Sequence, residues 1–464
     1  MTRAAHPTDT VDPTDPKPTH PTDPTDPTAA PARAPHPLRA EALRGFAPWA
    51  GAAVLLSFGA MLAGTADRWQ GGWAETATET HTAMLITLPL AAAAGCWQGG
   101  RERRRRTEEL WRTTVRPPLA RLLAAALPVA LWVAAGYLVT AALALLATWP
   151  YAQGDHPHPA LLPGDTVAMA AGALAGHVLG RTVPTRLAAP LLAMAGYVGL
   201  GVLSADGPDV GRPLSPATSL AVGELPVWWQ PWAMAVWTGG LACAAALAYA
   251  ARSRVTALLP LAAALAAGAL LVQAGDGLWH TDPLARRQVC DTSTTPAVCV
   301  NARYAGMLPQ VGDALSGVTG KLAGVRNLPA RWADHDGALR ADEARLPAIT
   351  PLGWSAVRGR LTDPEQFAWE AVAALEGDDC PERTLTARVL GADDAVEHYL
   401  APTRVRKALD EDDARGDRTR RAELRERRAL RARLAGMAED ERRDWLSAYF
   451  AARAACDPKG VPAL

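Results

Sequence analysis

The apolar positions of this chain fall in long, almost uninterrupted blocks. Between Phe46 and Ala274 there are seven such blocks, each roughly 16 to 28 residues long, with almost no ionised side chain. This is the length that an α-helix needs to cross a hydrocarbon layer about 30 Å thick. We therefore predict transmembrane helices over 46–66, 82–97, 122–149, 166–180, 187–203, 233–251 and 256–274.

The two ends of the chain have a different pattern. Residues 1–37 repeat a Pro-Thr-Asp theme without apolar periodicity, and such a tract cannot bury enough surface to offset its ordering entropy. We expect a disordered tail there, followed at 38–44 by a short amphipathic helix on the membrane surface. Residues 38–274 would form the membrane domain and residues 275–464 a separate, mainly helical domain.

The arginines predict the orientation of the spans. The segments 33–45, 101–121, 181–186 and 252–254 together hold 15 arginines, whereas the alternate loops 67–80, 150–165 and 204–232 hold 2. Basic residues accumulate on the cytoplasmic side of a membrane, so we expect a cytoplasmic N-terminus. With seven spans the C-terminal domain would then be extracytoplasmic, in an all-α polytopic protein of the cell membrane.

Four of the six cysteines lie in this C-terminal domain. They are Cys290, Cys299, Cys380 and Cys456, an even number that favours disulfides in an oxidising compartment. Three pairings are possible. We prefer Cys290 with Cys299 and Cys380 with Cys456, because the first pair closes a short loop.

The longest basic segment follows the second predicted span. Eight arginines between residues 101 and 121 exclude this segment from the bilayer and place it against anionic headgroups. Within it, 107–114 has the pattern of a short helix, with Thr107 as cap, Glu108 and Glu109 in the first turn, and Leu110 and Trp111 on an apolar edge.

This segment resembles the corresponding loop of ABC-2 type transporter permeases, the membrane subunits of ATP-binding cassette exporters. The residues that match the family pattern in order are Arg101, Glu102, Thr107, Glu109, Leu110 and Pro117; Arg106 stands where the family usually has glycine. The resemblance implies that the short surface helix, including Glu108 and Trp111, inserts into a separate ATP-binding subunit. It also implies a homodimer or a second permease as partner.

The fourth predicted span carries a small-residue face. Gly172, Gly176 and Gly180 recur every four residues, so another helix can approach this face closely. Close packing and a substrate path are both open here. His177 on the same helix is an ionisable group at membrane depth, and its place near the inner end would let it reach water.

Other chemistry is weakly represented in the sequence. Gly320-Lys321 lacks the serine or threonine and the spacing of a phosphate-binding loop. Asp155, His156 and His158 could touch a metal, but two histidines in a proline-rich loop are more typical of a solvated turn, so we predict no metal. The balance of 47 basic and 47 acidic residues gives no indication of nucleic acid as a partner.

We therefore expect a permease subunit without enzymatic activity or cofactor of its own, energised by a separate ATPase. The alternative is a membrane-anchored sensor or hydrolase that acts through residues 275–464.

Overall fold

The computed structural model describes Leu43 and residues 45–104, 117–183, 185–205, 211–335, 337–350, 355–377, 380–381 and 384–464. The predicted disordered tail lies outside these residues, as does the surface helix at 38–44 apart from Leu43. Within the described part the chain is mostly helical.

Over its described residues, the membrane half contains a helix at each of the seven apolar blocks, together with four short helices. They are α1 (Ala47–Gly64), α2 (Ala66–Trp69), α3 (Trp73–Thr82), α4 (Met84–Gly99), α5 (Arg101–Arg104), α6 (Pro118–Thr148), α7 (Leu162–Thr182), α8 (Ala188–Ala205), α9 (Gly211–Leu214), α10 (Gln230–Ala250) and α11 (Leu258–Ala274).

Four helical segments of the described chain are long and apolar enough to cross a membrane. They are Ala47–Gly64, Pro118–Tyr151, Gln230–Ala250 and Arg254–Leu278. Helix α4 is 16 residues long, and α8 contains the shorter apolar stretch Ala188–Leu203. Helix α7 has 21 residues but includes Asp165, His177 and Arg181 among them. The length and apolar composition of these four helices therefore indicate a membrane protein.

The C-terminal half combines helices with short strands. Its helices are α12 (Leu308–Leu322), α13 (Pro364–Ala373), α14 (Ala387–Leu400), α15 (Arg404–Arg415), α16 (Arg418–Gly436) and α17 (Glu439–Ala454). Its strands are β2 (Trp279–Thr281), β3 (Gln288–Asp291), β4 (Ala297–Asn301), β5 (Arg331–Ala333), β6 (Glu343–Arg345), β7 (Ala356–Val357) and β8 (Arg360–Leu361), and β1 (Glu224–Pro226) comes from the membrane half.

A four-stranded sheet organises this half. Its order is β3-β4-β5-β6, with β3 antiparallel to β4 and the remaining neighbours parallel, and α12 connects β4 to β5. Trp332, Leu315, Tyr449 and Phe450 are among the side chains buried between the sheet and the helices. The expectation of an all-α protein is therefore incomplete, since the C-terminal half contains this mixed sheet.

Helix boundaries in the C-terminal half follow local capping. Asp363 caps α13 by accepting from the backbone N–H groups of Glu365 and Gln366. Asp417 caps α16 in the same way through Arg420 N–H. The long basic tail is divided after Gly436 into α16 and α17, because Met437 and Ala438 have extended backbone angles.

The connecting segments of the bundle fall into two groups. Those expected outside contact the C-terminal half: Gln70 O accepts from Arg358 N–H, Gln153 O from Gly306 N–H, and β1 pairs with β2. Of the connections expected inside, 33–45 and 101–121 lie mostly outside the described residues. At that end of the bundle, Gly100 lies against Gly180 and Arg181 donates to Tyr249. The contacts with the C-terminal half lie near the N-terminal end of α7, and the contacts of Gly180 and Arg181 lie at its C-terminal end.

Candidate functional site

Only the beginning of the proposed coupling segment is described. Helix α5 follows α4 after Gly100, and the guanidinium of Arg104 lies 4.1 Å from the centre of the Trp97 ring. Arg101 and Glu102 belong to this single turn. Thr107, Glu108, Glu109, Leu110 and Trp111 lie outside the described residues. The structure therefore describes the helices on either side of the segment, which are the last turn of α4 and the first turn of α6.

The glycines of α7 lie directly against α4. A Cβ added to Gly176 would lie 1.9 Å from Ala92 O, and one added to Gly180 would lie 2.0 Å from Cys96 O. The contact is reciprocal, because a Cβ at Gly95 would lie 1.9 Å from Ala173 O. Gly172 faces the side chain of Leu88 instead. These distances favour the packing interpretation of the stripe.

His177 lies inside this helix pair. It is 1% exposed, and neither ring nitrogen has a hydrogen-bond partner among the described residues. The expectation that it reaches water is therefore wrong for this conformation. The close approach of α4 and α7 buries it, because Gly99 on α4 lies against its backbone carbonyl.

An apolar cavity of about 300 Å³, largely open to the surface of the bundle, lies beside the α4–α7 contact. Its lining includes Leu88 from α4, Ala171 from α7, Leu192 from α8 and Leu241 from α10. Thr238 is the polar residue of the described lining, and its hydroxyl donates to Met234 O within its own helix. The cavity therefore offers mainly dispersion contacts, which suits an apolar molecule or an acyl chain.

A buried polar cluster links α3, α6 and α7. Asp165 of α7 accepts from His81 Nδ1 at 3.0 Å and from the Tyr137 hydroxyl at 2.8 Å. All three side chains are buried. Because an ionised carboxylate only accepts, the imidazole carries a proton on Nδ1. Among the described residues, the other ring nitrogen of His81 and Oε1 of Gln230 have no hydrogen-bond partner, and both residues line one cavity of about 10 Å³.

This cluster was not predicted from the sequence. Two of the predicted spans begin directly after His81 and Asp165, because ionisable residues are normally excluded from apolar spans. The sequence did contain an indication of the cluster. A histidine, which can be positively charged, and an aspartate, which can be negatively charged, each directly precede the outer end of a predicted helix.

A second polar contact joins the bundle to the C-terminal half. Glu75 of α3 is 1% exposed and accepts from the Tyr304 hydroxyl and, at 3.1 Å, from Thr350 Oγ1. Burial, followed by the charge of Glu75, raises the pKa of Tyr304 well above its usual value. The phenol therefore stays neutral and donates to Glu75.

The outer loop after α6 brings its carboxylate and histidines together. Asp155 Oδ1 lies 2.8 Å from His156 Nδ1, and Asp155 Oδ2 lies 2.8 Å from His158 Nε2. The side chains of Asp155 and His158 are 4% and 7% exposed. The interpretation of this loop as a solvated turn is therefore wrong for these two residues, while His156 is 68% exposed.

Both preferred cysteine pairs lie at disulfide-bonding distance. Cys290 and Cys299 face each other on β3 and β4, with an S–S distance of 2.04 Å. Cys380 and Cys456 connect the segment before α14 to the residue after α17, 76 positions apart. Disulfides persist in oxidising compartments, and the two pairs indicate an extracytoplasmic domain.

Acidic groups converge near the second disulfide. Glu376 and Asp393 are buried close to Arg453 and Tyr449, and the Tyr449 hydroxyl donates to Asp393 at 2.6 Å. Burial, followed by the negative charges of Asp393 and Glu397, raises the pKa of Glu376 well above its usual value. Glu376 lies within the core of the C-terminal half, and we assign it and its neighbours a role in stability.

No family model, no curated protein and no solved structure matches this chain.

Proposed function

We propose that this chain is the membrane-spanning permease subunit of an ATP-binding cassette exporter, energised by a separate ATPase. All seven apolar helices would cross the membrane, with the arginine-rich connections in the cytoplasm. The C-terminal half would stand outside as a cap over the bundle. The permease would work as a homodimer or beside a second permease.

The observation that carries this proposal is the position of the arginine-rich segment 101–116. It connects α4 with α6, and α4 packs along its length against α7. Its sequence resembles the coupling segment of ABC-2 permeases at Arg101, Glu102, Glu109 and Leu110. A movement of this segment would act directly on the helix pair beside the apolar cavity.

The cavity supports transport of an apolar molecule or of the apolar part of an amphipathic one. It borders the α4–α7 contact, so a change in the distance between these helices would change its shape. An ATP-driven permease requires a binding cavity whose shape changes when its cytoplasmic coupling segment moves.

Co-purification tests the proposal. The full chain is isolated in detergent from its native membrane, and the accompanying proteins are assayed for ATPase activity. We expect an ATPase to accompany the chain and to be lost when Glu109, Leu110 and Trp111 are changed to alanine, because these side chains would fill the ATPase's docking cleft.

A matched triple variant controls for nonspecific effects. Val405, Leu409 and Glu411 supply two apolar residues and one acidic residue at exposed positions of α15, and alanine at these positions should leave the ATPase bound. Recovery of the chain without an ATPase, or with equal ATPase in both triple variants, would contradict the proposal.

A membrane-anchored sensor is the second candidate, and the junction of Glu75 with Tyr304 and Thr350 favours it. These buried contacts would transmit a change in the C-terminal half to α3 and α4. For a sensor, the chain would be recovered without an ATPase, and the Glu109, Leu110 and Trp111 variant would behave as the parent.

A further inference from the structure

The outer loop between α6 and α7 presents metal-binding atoms from three neighbouring residues. Asp155 lies between the two histidines, with one carboxylate oxygen 2.8 Å from His156 Nδ1 and the other 2.8 Å from His158 Nε2. The three residues each offer a ligand atom, and these atoms lie within 4.8 Å of one another. Hydrogen bonds alone would explain why Asp155 lies so close to the two histidines.

A fourth group approaches from the C-terminal half. Asp282 is 2% exposed, and within the described chain its Oδ2 has no hydrogen-bond partner although it lies 3.7 Å from His158 Nε2. Its other oxygen accepts from Leu284 N–H at 2.9 Å and so caps the turn Pro283–Arg286. This capping bond fixes the carboxylate with Oδ2 directed at the histidine, as supporting hydrogen bonds orient metal ligands.

The electrostatics favour a cation between these groups. The carboxylates of Asp155 and Asp282 both lie close to the His158 imidazole, and all three side chains are less than 10% exposed. Burying two carboxylates is costly unless positive charge compensates them. A single protonated imidazole supplies one positive charge, whereas a divalent ion supplies two.

The spacing also fits a transition metal. In a tetrahedral zinc site with bonds of about 2.0 to 2.1 Å, neighbouring ligand atoms are about 3.3 Å apart. The separations of 2.8 and 3.7 Å around His158 Nε2 bracket this value, and the ligand atoms of Asp155, His156 and His158, all within 4.8 Å of one another, would move closer together on a bound ion. Two imidazole nitrogens and two carboxylate oxygens form a donor set that zinc accepts in proteins.

We propose that Asp155, His156, His158 and Asp282 form a Zn²⁺ site that fastens the C-terminal half to the membrane bundle. Asp155 and Asp282 are far apart in the chain and belong to the two halves, so the ion would cross-link them. Asp282 N–H also donates to Gly223 O, which brings a second outer loop to the same point. With four protein ligands the site is closed and structural. This inference stands independently of the proposed transport function.

Zinc binding to the full chain tests the inference. The protein is purified in detergent with a tag that contains no histidine, treated with a chelator, and titrated with Zn²⁺ against a chromogenic competitor. We expect one zinc ion per chain. We expect Asp282→Asn and His158→Ala to weaken binding on the order of 100-fold or more, because even loss of a supporting group costs about 10- to 100-fold. Cobalt(II) added instead should give the intense visible absorption of a four-coordinate ion.

Two nearby substitutions serve as controls. His280→Ala removes an exposed histidine two residues from Asp282, and Asp276→Asn neutralises an exposed aspartate close by. Both variants should retain full zinc affinity. The amide introduced by Asp282→Asn keeps an oxygen that can cap the turn, so this variant should fold; its monodispersity in detergent and intact disulfides verify this.

The wild-type titration alone can overturn the inference. Absence of saturable zinc binding to the wild-type chain would contradict it, and so would equal affinity in the Asp282→Asn and His280→Ala variants. The first result would mean that the cluster is a hydrogen-bonded histidine–aspartate network without a metal, and the second that zinc binds without Asp282 and does not link the two halves.

Discussion

Asp165 shows how a carboxylate can be accommodated inside a helix bundle. In isolation it would end an apolar span, but His81 and Tyr137 both donate to it inside the bundle. Their hydrogen bonds offset the cost of burying its charge. Helix α7, which has a proline in its first turn, begins at Leu162 and so includes Asp165, before the apolar run that the hydropathy pattern detects.

Replacing this carboxylate should destabilise the bundle. We expect Asp165→Asn to lower the free energy of unfolding by at least about 1.5 to 3 kcal/mol, because the amide replaces one of the two accepting oxygens with a donor. Tyr137→Phe removes one hydrogen bond to a charged group and should cost about 1.5 to 3 kcal/mol. Thermal unfolding in detergent measures both, and an Asp165→Asn variant as stable as the parent would show that the cluster contributes nothing.

Glu376 makes the stability of the C-terminal half depend on pH. Its pKa in the folded protein is raised well above 4.5, its usual value, by burial and then by the charges of Asp393 and Glu397. The folded state therefore binds a proton that the unfolded state releases. This contribution is fully present below the unfolded pKa and is lost as pH rises through the folded pKa.

Glu376→Gln should remove this dependence. Relative to the parent, the variant should gain protection in α14 and α17 between pH 5 and pH 8, because the glutamine side chain carries no charge to be buried. Hydrogen exchange of these helices at the two pH values measures the gain, with the exposed Glu411→Gln as control. A difference between the Glu376→Gln variant and the parent that is the same at both pH values would contradict this account.

At the scale of elements, the contact between α4 and α7 has the least tolerance. Backbone atoms of the two helices approach so closely that a methyl group at Gly176 has no space. Small residues permit such approaches in membranes, where packing drives helix association.

A pair of alanine substitutions tests this contact. Gly176→Ala should separate α4 from α7 and cost about 1 to 3 kcal/mol by overpacking. Gly199→Ala, in the interior of α8 with no described atom within 4 Å of the added Cβ, should be neutral or stabilise by up to about 1 kcal/mol through helix propensity. Heat-induced loss of folded chain in detergent compares the two, and equal effects would contradict the packing assignment.

The long apolar blocks of the sequence predicted the positions of the helices well. Each of the seven blocks coincides with a helix, because a run of 16 or more apolar residues is difficult to place otherwise. Strands β5 and β6 were not predicted, since three residues are too few for an alternating pattern to be recognised.

The candidate sites were harder to predict, because they depend on long-range contacts. The histidines at 156 and 158 were noticed, but Asp282 comes from a segment more than 120 residues later. The cysteine pairing was accessible since four cysteines allow only three arrangements and one pair closes a short loop. The five coupling residues 107–111 remain a prediction from sequence.

At the scale of the whole molecule, two independent features support the proposed orientation in the membrane. The connections that contact the C-terminal half are the arginine-poor ones, and the same half contains both disulfides. At the other end of α7, Gly100, which precedes the longest arginine-rich connection, lies against Gly180, and Arg181 donates to Tyr249. A basic end and an oxidised end are the two faces expected of a cell-membrane protein.

The most direct test of this account is the accessibility of two epitope tags, one inserted after Thr113 and one fused after Leu464. Antibody is added to intact cells and to permeabilised cells. We predict that the tag after Leu464 binds antibody in intact cells and that the tag after Thr113 binds it only after permeabilisation. The opposite pattern, or two tags on the same side, would contradict the cytoplasmic coupling segment and the external C-terminal half together.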